Sequence, residues 1–99
     1  MTPTHQEISA ALSDVLKSYD VEKAFLFGSY SRGDQTPDSD VDIRLQCGHN
    51  IRINDLIEIE KALSERLGLP VDIVSADPKH LRKHFYHEIS KDEVLLYAA

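Results

Sequence analysis

Residues Asp40 to Leu45 alternate strictly, with Asp40, Asp42 and Arg44 on one side and Val41, Ile43 and Leu45 on the other. A period of two is the pleat of a β-strand with one polar and one buried face. Such a strand needs neighbours beside it and a layer over its apolar face. The neighbours are readable. Val21 to Phe27 ends in the run Ala24-Phe25-Leu26-Phe27 and stops at Gly28, which reads as a buried strand. Pro70 to Val74 reads as a third strand with Asp72 inside it.

Helical spacing supplies the covering layer. Ile8, Ala11, Leu12, Val15, Leu16 and Tyr19, with Thr4 and Glu7 as a capping box, predict a helix over 5–19. Leu56, Ile59, Leu63 and Leu67 predict a second over 54–67, with Asn54 as N-cap and Gly68 as the stop. Leu81, Phe85 and Ile89 predict a third over 78–90, started by Asp77-Pro78. Gly28 to Ser39 is a polar turn and loop with room for a short helix over Ser29 to Arg32, and Cys47 to Asn50 is a connection. Val94 to Tyr97 fits a fourth strand, while Ser90 with Glu93 fits the cap of a last helical turn, and the residues leave both open. The expected fold class is α/β (α+β): a small mixed sheet of 3–4 strands with helices packed on it, in a single domain over 1–99.

Composition narrows the function. A chain of 99 residues buries roughly 65% of its unfolded surface, enough for one modest core. Eleven Lys and Arg against 17 Asp and Glu give a net charge of −6, poorly suited to gripping nucleic acid by its phosphates. Cys47 is the sole cysteine, which excludes an internal disulfide and most zinc-finger patterns. No apolar run approaches the ~18 residues of a membrane span. Met1 to Gln6 lacks the basic and apolar regions of a signal peptide, so a cytoplasmic setting is the default expectation.

The chemistry concentrates between residues 27 and 43. Asp40 and Asp42, two apart on a strand, leave the same face about 6.5–7 Å apart. Like charges that close call for a cation or for protonation of one, and hard oxygen ligands suit Mg²⁺ or Mn²⁺. A bare Asp-x-Asp is usually a solvated strand face, but here Gly28-Ser29 follows an apolar strand and precedes a short helical turn. Backbone N–H groups at such a turn can hold phosphate oxygens, and glycine lets a ligand approach the chain.

Gly28-Ser29, Arg32-Gly33 and Ser39-Asp40-Val41-Asp42-Ile43 together resemble the nucleotidyltransferase signature of the DNA polymerase β superfamily, and within it the minimal nucleotidyltransferase (MNT) branch. The resemblance extends over nearly the whole chain. It implies the polymerase β-like fold, makes a last strand near Ile89 to Tyr97 the favoured ending, and places Asp72 as the third carboxylate. It further implies that Asp40, Asp42 and Asp72 hold two divalent ions, that Asp72 can serve as base, and that Gly28 and Ser29 grip the β- and γ-phosphates of ATP. Arg32 would pair with phosphate or brace the loop through Asp34 or Asp38, and Ser39 would start the strand or orient Asp40, with nucleotide contact the lesser reading.

Other residues read as structural. His80, His84 and His87 share a helix face but sit among Lys79, Arg82, Lys83 and Lys91, a poor setting for a metal and the one basic patch of the chain. Cys47, Tyr86 and Tyr97 read as packing residues, and Glu58, Glu60, Lys61, Glu65 and Arg66 as a solvated helix face.

A chain this short has no room for a domain that binds the acceptor. The resemblance therefore implies a protein partner, a HEPN-type ribonuclease toxin, whose tyrosine receives AMP while the small chain acts as antitoxin. Homo-oligomers are compatible with the sequence. A binding-only antitoxin, or transfer to a small molecule or an RNA end, are the alternatives.

Overall fold

The structure, a computed structural model, describes residues 3–75 and 93–99. Thr4 accepts a hydrogen bond from Glu7 N at 3.1 Å, and Glu7 Oε1 accepts one from Thr4 N at 3.2 Å. This capping box opens helix α1, His5–Leu16, three residues shorter than the predicted 5–19. Strand β1, Val21–Phe27, leads through Gly28 into the single turn α2, Ser29–Arg32, both as predicted. Strand β2 is Val41–Cys47. It begins one residue after Asp40 and absorbs Cys47, which pairs with Val21 and is not part of the connection as expected.

Helix α3 runs Ile53–Leu67 and ends at Gly68, whose φ of 74° places it in the left-handed region. Its N-cap is Arg52 and not the expected Asn54. The reason is Asp55: its Oδ2 accepts from Arg52 N at 2.9 Å, and this contact places the N-cap two residues earlier. Strand β3 is Val71–Ser75, and strand β4, Val94–Ala98, resolves the ending in favour of a strand. The helix expected over 78–90, with its Asp77-Pro78 start, its three histidines, its basic cluster and Tyr86, lies outside the described residues.

The sheet order is β3-β2-β1-β4. β1 is antiparallel to both its neighbours, and β2 runs parallel to β3. A parallel pair needs a crossover, and α3 provides it. Ala24, Leu26, Val41, Ile43, Leu45 and Val71 face α1 and α3, where Ile8, Leu12, Leu16, Ile59 and Leu63 complete one buried cluster. The two helices are also tied to each other at the surface. Arg66 of α3 pairs with Asp14 of α1 at 2.6 Å, and just past the end of α1 the Tyr19 hydroxyl donates to Glu58 at 3.1 Å. The face expected to be merely solvated thus carries links between helices, though at such exposure each contributes little.

Packing leaves a cost at Tyr30. Tyr30 is 1% exposed, and among the described residues its hydroxyl has no hydrogen-bond partner. A buried unpaired hydroxyl loses its water without compensation. Tyr30→Phe is expected to raise the unfolding free energy by about 1 kcal/mol. Urea denaturation measures this, and a lower midpoint in the variant would show that the hydroxyl is satisfied.

Candidate active site

The parallel register places Asp72 directly opposite Asp42, and the antiparallel register places Phe27 opposite Asp42 on the other side. Directly paired residues project to the same face of a sheet. Asp72 and Asp42 therefore share a face, the one turned away from Val41, Ile43 and Leu45. Asp40 stands just before β2, two residues from Asp42 and exposed. Asp42 is half-buried. Burial first, then the negative charges of Asp72 and Asp40, push its carboxyl up from the ordinary 3.8, against a smaller opposing pull from Arg32. The Asp42 carboxyl thus feels both of the other aspartates.

Gly28 closes that corner. Its φ of 75° and ψ of −156° lie in a region open essentially to glycine alone. A Cβ there would run into Asp42 Oδ2. The turn and the central carboxylate are thus in direct packing contact. The Gly28 carbonyl is committed to α2, accepting from Ser31 N at 3.1 Å and Ser31 Oγ at 2.8 Å. Ser29, the first residue of α2, is at the rim of the same corner.

Arg32 Nε lies 3.2 Å from Asp34 Oδ2, an exposed pair, and its charge also reaches Asp42. Ser39 braces the loop. Its Oγ accepts from Thr36 N at 2.9 Å and lies 3.3 Å from Thr36 Oγ1, which shapes the approach to Asp40.

One buried group had no functional signal in the sequence. Arg44, on the side of β2 that carries Asp42, is 2% exposed where the alternation suggested a polar face in water. Its Nε and Nη2 donate to the two carboxylate oxygens of Glu93 at 2.6 and 2.8 Å, and its guanidinium lies 4.4 Å from the centroid of Phe25. The partner is 49 residues away, beyond the reach of any local pattern.

The chain matches the family described as polymerase beta, nucleotidyltransferase, over residues 10–99. It belongs to this nucleotidyltransferase family. A Methanocaldococcus jannaschii protein named as a protein adenylyltransferase is 32% identical over 89 residues, covering 90% of this chain and 88% of the relative. The protein adenylyltransferase MntA of Thermococcus cleftensis is 36% identical over 75 residues, covering 72% and 76%. Among solved structures, a toxin–antitoxin complex with AMP-PNP superposes with a TM-score of 0.75 at 23% identity, covering 98% of this chain and 75% of that one. A tri-AMPylated Shewanella oneidensis HEPN toxin in complex with an MNT antitoxin gives 0.71 at 18% identity, covering 97% and 74%. At these identities the structural likeness is one of fold.

Nucleotidyltransferases of this family use a nucleotide and a divalent metal ion. The donor set fits such an ion: carboxylate oxygens, hard ligands, on two adjoining strands and their lead-in, with mutual repulsion that a cation relieves. Among the described residues no three His, Cys, Asp or Glu side chains form a ready-made cage. Among the described residues no helix is long and apolar enough to cross a membrane.

Proposed function

We propose that this nucleotidyltransferase moves AMP from ATP to a hydroxyl, a tyrosine of a HEPN-type ribonuclease, and serves in the cytoplasm as that toxin's antitoxin. The observation that carries the reading is the direct pairing of Asp42 with Asp72 on one sheet face, with Gly28 packed against Asp42. The relatives named as protein adenylyltransferases support AMP and a protein acceptor. The AMPylated HEPN toxin among the fold neighbours supports the partner.

Each residue has a physical task. Asp40, Asp42 and Asp72 would hold divalent ions, which when bound neutralise the triphosphate and lower the pKa of the acceptor hydroxyl. Gly28 and Ser29 present backbone to the β- and γ-phosphates, with no side chain on Gly28 to obstruct approach. Asp72, exposed at the sheet surface, would take the acceptor's proton. A bond then forms from the acceptor oxygen to the α-phosphorus, the bond to the bridging oxygen breaks, and pyrophosphate leaves. Arg32 and Ser39 hold the loop that carries Asp40.

Metal removal tests this. The protein, incubated with ATP labelled at the α-phosphate, Mg²⁺ and a HEPN-type ribonuclease from the same organism, is expected to label that partner. EDTA in excess abolishes the label, and added Mg²⁺ or Mn²⁺ restores it. Label that persists in EDTA overturns the metal-dependent reading. Label on RNA or a small molecule without any protein acceptor overturns the choice of partner.

A further inference from the structure

We infer that the buried Arg44–Glu93 ion pair is a positioning device for nucleotidyl transfer, holding the Gly28–Ser29 turn in register with Asp42. This rests on the transfer reading above and deepens it. Arg44 sits one pleat from Asp42 on the same face of β2. Across the sheet, Phe25 is opposite Arg44, and Leu95 is opposite Phe25. Glu93 lies immediately before β4. The Arg44 side chain therefore crosses β1, stacking on Phe25, and is held at the far side by a two-pronged hydrogen bond. One side chain clamps three strands.

The clamp acts where the site has no slack. β1 runs two residues past Phe25 to Phe27, paired with Asp42, and then into Gly28. Gly28 is already in contact range of the Asp42 carboxylate, so a small slide of β1 against β2 would close or open that contact. A guanidinium fork on a carboxylate fixes distance and orientation together, which an apolar contact does not.

Stability is a poor explanation for the pair. Its side chains are 3% and 9% exposed, and buried ion pairs can often be replaced by apolar residues at little or no cost. Its effect is on geometry.

The test removes both charges at once, with Arg44→Met and Glu93→Leu combined, so that neither is left unpaired. The melting temperature is expected to stay within about 5 °C of the parent. Transfer at saturating ATP and acceptor is expected to fall about 10- to 100-fold, as for a small misplacement of reacting groups. Amide resonances of Gly28 and Ser29 should move while that of Gly68 stays. Arg44→Lys, which keeps the charge and loses the fork, should show the same rate loss and shifts in a folded protein. Unmoved Gly28 and Ser29 resonances, an unchanged rate, or loss of the fold in both variants would each overturn the proposal. Parent protein that labels no acceptor would instead defeat the transfer reading, and the resonances would still decide whether the pair sets the turn.

Discussion

Asp42→Asn is expected to lower nucleotidyl transfer by about 10³-fold or more and to raise thermal stability at the same time. The first effect follows from the position of Asp42 between Asp72, Asp40 and the Gly28 turn. In the proposed site an amide would not replace a charged ligand, and the charge stabilisation lost would be worth several kcal/mol. The second follows from burial and like charges, which raise the Asp42 carboxyl above its ordinary 3.8. A raised carboxyl pKa means that the folded state resists the charged form. The penalty is present in full above the folded-state pKa, shrinks as pH falls through it, and is gone below the unfolded value. Asp42→Asn removes the penalty, so the variant should be more stable near neutral pH by about 1 kcal/mol, a modest figure because Asp42 is partly solvated. The advantage should vanish in acid. Urea denaturation from pH 7 down to below 3.8, set beside a transfer assay, checks both halves. A variant equally stable at neutral pH would show that the negative cluster carries no cost. An active variant would remove Asp42 from the site.

The same cluster shows what a sequence can and cannot carry. Local signals were legible: the Thr4–Glu7 box, the stop at Gly28 and the alternation through Asp42 each follow from neighbours in the chain. Asp72 is a different case. Nothing in Pro70 to Val74 states that it will lie opposite Asp42. That depends on the α3 crossover and the parallel register, so it was accessible only through resemblance to a family. Arg44 departs from the expected solvated face for a related reason. Alternation assigns it to a face, not to an environment, and its environment comes from Glu93, across the whole width of β1. The N-cap at Arg52 displaced Asn54 because two plausible starts differ by one side-chain contact, that of Asp55. Spacing along the chain fixes which way a side chain points, while long-range pairing decides what it meets.

Gly28→Ala should damage both fold and activity through one atom. The residue holds φ 75° and ψ −156°, a conformation that costs a side-chain-bearing residue about 1–3 kcal/mol. The added methyl would also overlap Asp42 Oδ2 and lie 3.2 Å from Asp42 Cγ. The backbone strain cannot be relieved locally. The overlap can, but only if the carboxylate swings aside. Transfer is therefore expected to fall about 100-fold with every catalytic group still present. A double-mutant cycle separates the two contributions. In an Asp42→Ala background the overlapping atoms are gone, and the Asp42 Cβ, at 3.4 Å from the added methyl, is an ordinary contact. The stability cost of Gly28→Ala should then shrink to the strain alone, with a coupling of about 0.5–3 kcal/mol between the two sites. Equal costs in both backgrounds would mean that the carboxylate and the turn do not press on each other. The close packing that joins the Gly28 turn to the central aspartate would then have no energetic content.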